Sequence, residues 1–179
     1  MHVPTKVAVM ALCLGAVSFG PSRAADQSRL THEAMVNGSL DEVWAAWTTK
    51  NGLEAWMVAH AEFDLRIGGK MRTLYDPAGK LSDPGTIENT IICYDPKRML
   101  SIKVSKAPQG FPFPQAVKSM WTVIYFEAES TTETRVKIVG LGFGDDEESK
   151  QMRAFFDRGN AQTLRQLQSY FASQTSGEK

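Results

Sequence analysis

The sequence predicts an α+β domain in which a curved antiparallel sheet of about seven strands grips a long C-terminal helix, with two short helices after the first strand. Apolar residues Met152, Phe155, Phe156, Leu164, Leu167, Tyr170 and Phe171 recur at three- and four-residue spacing between Glu147 and Phe171, the pattern of an amphipathic helix. Between Ala61 and Gly144 the apolar period drops to two, and turn formers punctuate the chain at intervals that suit hairpins. A helix of about 25 residues is a rod roughly 37 Å long. The run of strands is the one surface of comparable size to cover it, and the space between them either fills with side chains or holds a ligand.

Leu30 to Val36 is the first expected strand, ending at the turn signal Asn37-Gly38. Ser39-Leu40-Asp41-Glu42 is a capping-box pattern, in which the serine hydroxyl and the glutamate each satisfy an orphan amide of a new helix. Val43, Trp44 and Trp47 mark its apolar face, Asn51-Gly52 interrupts it, and a second short helix carries Leu53, Trp56 and Met57. Phe63, Leu65 and Ile67 then alternate with charged residues, predicting a half-buried strand from Ala61 that turns at Gly68-Gly69. Strands follow over Lys70 to Tyr75, Thr86 to Tyr94, Met99 to Lys106, Trp121 to Glu129 and Thr134 to Phe143, with proline- and aspartate-rich turns among them. Asp145 to Glu148 sit where the dipole of the long helix favours acidic side chains.

The length of 179 residues suits one domain with a substantial core, and no compositional break divides it. We read residues 1–24 as a signal peptide, 29–172 as the domain and 173–179 as a polar tail. Lys6, the apolar run Val7 to Phe19 and the small residues at Ser22-Arg23-Ala24-Ala25 carry the first of these, and the run is too short to span a bilayer. A periplasmic or secreted location is therefore expected. Removing Lys6 and Arg23 from a chain with 20 basic and 20 acidic residues leaves a slight acidic excess, with no electrostatic footprint for nucleic acid. Cleavage also removes Cys13, so Cys93 has no partner for an internal disulfide, and it reads as a buried, inert strand thiol.

Val36 with Ser39-Leu40-Asp41-Glu42-Val43-Trp44, Trp56, Asp64-Leu65-Arg66-Ile67-Gly68-Gly69, Gly85-Thr86-Ile87-Glu88, Arg98-Met99-Leu100 and a helix ending in Leu164, Leu167 and Tyr170 together carry a family likeness. With these residues in this order, the chain from Leu30 to Phe171 resembles the START-like, birch-pollen-allergen-like (SRPBCC) superfamily, and within it the group named after the activator of heat-shock-protein ATPase (AHSA-type). The resemblance implies a helix-grip fold with a hydrophobic cavity. Its members variously bind lipids, sterols or polyketides, act as cyclases, or assist chaperones.

His32 and His60 lack the clustered partners a metal site requires, so neither a metal nor another cofactor is expected. Gly140-Leu141-Gly142-Phe143-Gly144 lacks the continuation of a dinucleotide loop and reads as a strand that bends. Asp145 to Glu148 lack the alternating spacing of a calcium loop, which leaves helix capping. Asp64 and Arg66 form either a surface ion pair or a polar contact at one end of the cavity. Glu88 is either an exposed strand residue or, facing inward, an acid or base with a pKa raised by burial.

The leading expectation is a binder of a small hydrophobic molecule in a cavity above roughly 300 Å³, lined by Trp56, Phe63, Leu65, Met71, Ile102, Phe155 and Leu164. One alternative is a cyclase- or hydratase-type enzyme using Glu88, Asp64 or Tyr75. The other is a protein-interaction module whose contact is the proline-flanked pair Phe111 and Phe113. Strand facing decides among the lining residues, because a bulge reverses which side chains point inward.

Overall fold

The computed structural model describes residues 28–176; the expected signal peptide at residues 1–24 lies outside them. Its elements run β1 (Arg29–Val36), α1 (Leu40–Thr48), α2 (Lys50–Trp56), β2 (His60–Phe63), β3 (Lys70–Leu74), β4 (Ile87–Asp95), β5 (Met99–Lys106), β6 (Trp121–Ala128), β7 (Thr134–Leu141) and α3 (Glu147–Ser176). All seven strands join one antiparallel sheet in the order β1-β7-β6-β5-β4-β3-β2. Every neighbour pair but β1 and β7 is consecutive along the chain, so the sheet is a meander closed by its first strand.

The capping box forms as the sequence predicts: the Glu42 amide donates to Ser39 Oγ at 3.4 Å, and the Ser39 amide donates to Glu42 Oε2 at 2.8 Å. Thr49 then caps α2 by accepting from the Gly52 amide at 3.0 Å. The helix pair brings Val43, Trp44, Ala46 and Trp47 into the main core with Ile91, Leu100, Ile124, Phe126, Val136, Ile138, Leu164, Leu167 and Phe171.

Two boundaries differ by several residues from the sequence reading. β2 ends at Phe63 instead of Ile67, because the Gly69 amide donates to the Arg66 carbonyl at 2.8 Å and the turn starts early. Gly68 there has φ +79°, and a Cβ on Gly69 would lie 2.1 Å from the Asp64 carbonyl, so both positions need glycine. Ile67 is left 67% exposed at the loop tip. α3 continues through Ser176, past Phe171 and into the expected tail.

Register shifts in β4 between Glu88 and Asn89 and between Ile91 and Cys93 bend the strand. Ile91 stays fully buried while Cys93 is exposed, which corrects the expectation of a buried thiol.

α3 starts under polar control. Asp146 accepts from the Ser149 amide at 2.9 Å and the Ser149 hydroxyl at 2.6 Å, and these bonds hold its carboxyl below the usual range. Glu148 accepts from the Gln115 and Ala116 amides at 2.9 and 3.2 Å, tying the helix to a 3-10 turn at Ala116–Lys118. The acidic run is therefore a cap and a clamp. Along its length α3 is fastened to edge strand β1: Arg153 and Gln168 donate to the Arg29 and Met35 carbonyls at 3.2 and 2.8 Å, and His32 meets Asp157 at 3.0 Å.

Candidate ligand-binding site

The two halves of α3 meet the sheet differently. Leu164, Leu167 and Phe171 are buried in the main core, so the C-terminal half is closely packed. The N-terminal half presents Phe156, Gly159, Asn160 and Thr163 to a cavity of about 420 Å³. Opposite stand Met71 and Thr73 of β3, Ile87 and Asn89 of β4, Ile102 and Val104 of β5, and Thr122 and Ile124 of β6. Trp47 and Met57 close one wall. The volume lies within the range of small-molecule sites. A wider, more open groove of about 1190 Å³, bounded by the α1–α2 junction and the end of α3, mixes polar residues such as Ser39, Glu42 and Gln174 with alanines and aromatic rings and lacks that enclosed apolar character.

An aromatic cluster forms the rim. Phe155 is 42% exposed and meets Phe111 at 5.9 Å, Phe113 at 5.7 Å and Phe156 at 5.5 Å between ring centroids. Phe111 and Phe155 line the cavity, whereas Phe113 is buried beneath in a satellite core with Met120, Phe143 and Met152. Edge-to-face contacts of this kind contribute about 0.5–1.5 kcal/mol each beyond area burial. The two rings expected to form an exposed contact therefore divide: Phe111 edges the cavity and Phe113 anchors its loop.

Of the residues expected to contact a ligand, Met71, Ile102 and Phe155 lie on the cavity wall. Trp56, Phe63, Leu65 and Leu164 do not. The Trp56 indole donates to the Ala46 carbonyl at 3.0 Å and packs against Trp47 at 5.0 Å, so it supports the wall from behind. Leu164 is buried in the main core, and Phe63 and Leu65 pack against that core partly buried. Residues the sequence reading passed over, including Trp47, Thr73, Asn89, Asn160 and Thr163, lie on the wall. The available signal was the helical spacing of the small or polar residues Gly159, Asn160 and Thr163 with Phe156 on the inward face of α3.

The carboxylate candidates are turned away. Glu88 lies on the outer face beside Lys70 at 3.0 Å and Arg72 at 3.8 Å, and bonds from Lys70 and Ser105 lower its pKa. That is opposite to the raised value an inward acid would have. Asp64 makes a surface ion pair with Arg66 at 2.7 Å. Tyr75 reaches the cavity rim but is 59% exposed. Desolvation by neighbouring protein raises its phenol pKa, the opposite direction to the lowering that would help it act as a base. His60 Nε2 lies 3.2 Å from the Pro77 carbonyl, and no group of three or more metal-ligating side chains gathers among the described residues.

Two side chains of the wall each carry a fully buried nitrogen without a partner. Trp47 Nε1 and Asn160 Nδ2 are both buried and neither donates to any acceptor. A buried donor left unpaired costs about 1–3 kcal/mol.

Residues 37–172 match the model of the family described as Activator of Hsp90 ATPase homolog 1-like protein. The chain belongs to this family. Solved structures agree with the helix-grip architecture of an Activator of Hsp90 ATPase homolog 1-like protein. A Mesorhizobium loti protein superimposes with a TM-score of 0.63 at 16% identity, covering 81% of this chain and 97% of that one. The Aha1 dimer from Colwellia psychrerythraea gives 0.62 at 13% identity, covering 80% and 95%. The di-domain ARO/CYC BexL from a biosynthetic pathway gives 0.61 at 16% identity, covering 79% of this chain and 45% of BexL. At these identities the likeness shows a shared fold. No curated protein sequence matches the chain.

Proposed function

We propose that this member of the family binds a small hydrophobic molecule between its sheet and its C-terminal helix. The observation that carries this is the cavity of about 420 Å³, walled chiefly by Met, Ile, Val and Phe side chains and rimmed by Phe111 and Phe155. A cavity with such walls stabilises an occupant by roughly 25 cal/mol per Å² of apolar surface removed from water. The similarity to an ARO/CYC protein is consistent with an apolar guest in this fold. The carboxylate-dependent enzyme reading loses its acid and base, since Glu88 and Asp64 face outward. The interaction-module reading loses half its contact, since Phe113 is buried.

The test is fluorescence titration with N-phenyl-1-naphthylamine, alongside native mass spectrometry of the purified protein for a copurifying guest. Saturable enhancement at one site, lost in Gly159→Phe, supports cavity binding. Gly159 lines the cavity, and a Cβ there meets no atom within 4 Å, so the ring has room to enter. Enhancement that persists undiminished in that variant places the dye elsewhere and overturns the proposal.

We further propose that the protein is exported and works in the periplasm or outside the cell, on the strength of Lys6, the apolar run from Val7 to Phe19 and the small residues around Ala24. Fractionation of a Gram-negative host with N-terminal sequencing should give a periplasmic form beginning near Ala25. An uncut cytoplasmic form would overturn it.

A further inference from the structure

Resting on the cavity-binding proposal, we infer that the occupant is an uncharged lipophile bearing a hydroxyl, an alcohol or a phenol, which pairs with the side chains of Asn89 and Thr73 on the sheet wall. Strand register places these two residues together. Met71 pairs with Asn89 and Thr73 with Ile87, so Thr73 of β3 and Asn89 of β4 are diagonal neighbours on the inward face, roughly 7–8 Å apart. At about 2.8 Å per bond, one hydroxyl between the two side chains can reach both.

Both side chains are buried, unpartnered and still open. Asn89 is 9% exposed and Thr73 4% exposed, and neither side chain bonds to another group among the described residues. The unpartnered side-chain atoms that are sealed from solvent belong to Trp47, Arg72, Thr86, Arg153 and Asn160. The Asn89 amide and the Thr73 hydroxyl are not among them, and on residues so deeply placed the surface left to these groups is cavity surface. Buried polar groups are normally hydrogen-bonded, so an open pair on one wall marks where a guest's polar group belongs.

The pair also selects the kind of group. Asn89 offers two N–H donors and a carbonyl acceptor, and the Thr73 hydroxyl serves in either role. A hydroxyl on the guest donates to one and accepts from the other, whereas an ether or ketone oxygen leaves the Asn89 carbonyl without a donor. No Asp, Glu, Lys, Arg or His side chain of the described residues lines the cavity, so a full charge brought inside would lose its water without meeting a counter-ion. The charged side chains of these strands, Lys70, Arg72 and Glu88, are engaged with one another on the outer face. Apolar walls supply affinity, and the Asn89–Thr73 pair orients the guest by its hydroxyl.

The experiment ranks five probes of similar size by their displacement of N-phenyl-1-naphthylamine: 2-ethylnaphthalene, 2-methoxynaphthalene, 2-naphthalenemethanol, 2-(aminomethyl)naphthalene and 2-naphthoate. Water holds a hydroxyl more strongly than an ethyl group, so a purely apolar pocket favours the hydrocarbon. Here the alcohol should at least match the hydrocarbon and exceed the ether, the cation and the anion. Asn89→Leu, close in volume, should shift the alcohol-to-hydrocarbon ratio about tenfold toward the hydrocarbon and raise the thermal midpoint of the empty protein, since it removes an unpartnered buried amide. Thr73→Val, which replaces the hydroxyl by a methyl, should move the ratio the same way and keeps the test standing where Asn89→Leu fails to fold. Tighter binding of the ethyl compound by the wild-type protein would mean that the two groups serve cavity water only. That result, tightest binding of the ether or of either charged probe, or a ratio that no folded variant moves would overturn this inference while leaving cavity binding intact. Failure of the folded protein to bind the dye or any probe up to its solubility limit would instead overturn the cavity-binding proposal.

Discussion

The Phe155 ring meets the Phe111 ring edge to face at 5.9 Å, although one stands on the C-terminal helix and the other on a proline-flanked loop after β5. The contact joins two elements far apart in sequence directly over the cavity. It is weak enough to part and large enough to obstruct.

Phe155→Ala should therefore act mainly on ligand kinetics. With 42% of the residue exposed, the loss of stability should be about 1–2 kcal/mol. Stopped-flow release of N-phenyl-1-naphthylamine should accelerate severalfold. Leu167→Ala, at a fully buried position further along the same helix, should instead cost about 2–5 kcal/mol in urea unfolding. A slower release from Phe155→Ala would remove the ring from any gating role.

Gly159 is a helical glycine with no packing to explain it, since an added Cβ meets nothing within 4 Å. Gly159→Ala should raise stability by roughly 0.5–1 kcal/mol, because the flexible unfolded backbone is the chief loss. Denaturant unfolding with an unchanged m-value checks it. A destabilised variant would mean that the helix bends there in a way alanine disfavours.

Glu88 makes a pH prediction of definite sign. Bonds from Lys70 and Ser105, helped by Arg72, lower its folded pKa below the ordinary value of 4.5. A depressed carboxylate contributes stability above the unfolded pKa and loses it as pH falls through the folded value. Glu88→Gln should cost about 0.2–1 kcal/mol at pH 7, allowing for solvent screening, and the difference from wild type should vanish in acid. A gap that widens as pH falls would contradict the outward, ion-paired placement.

The capping box offers an independent check on the start of the helix pair. Ser39→Ala removes the acceptor for the Glu42 amide and should cost about 1 kcal/mol. Ser39→Asp restores an oxygen there and should recover part of it. Thermal unfolding of the two variants measures both.

Periodicity made the architecture legible, since a helix spacing at Met152 to Phe171 and alternation within the strands survive any detail of packing. The cavity wall was harder to read. Met71, Ile102 and Phe155 follow from apolar pattern alone, but Leu164 satisfies the same pattern and belongs to the core. Choosing between them requires knowing how far the helix stands off the sheet, and that distance is set by contacts remote in sequence. Asn160 and Thr163 escaped because a search for apolar lining passes over polar residues on the same wall. Cys93 was misplaced for another reason: it follows a register shift, and strand alternation carries across such a shift with the wrong face.

Those shifts in β4 have a consequence for how the protein can change. Because the bend lies in the backbone, the span of the chamber is fixed independently of the side chains that furnish it. Wall residues such as Thr73, Asn89, Ile102 and Thr122 can then be exchanged for neighbours of similar bulk without redrawing the scaffold. Guest preference in this fold is thereby open to evolution one position at a time.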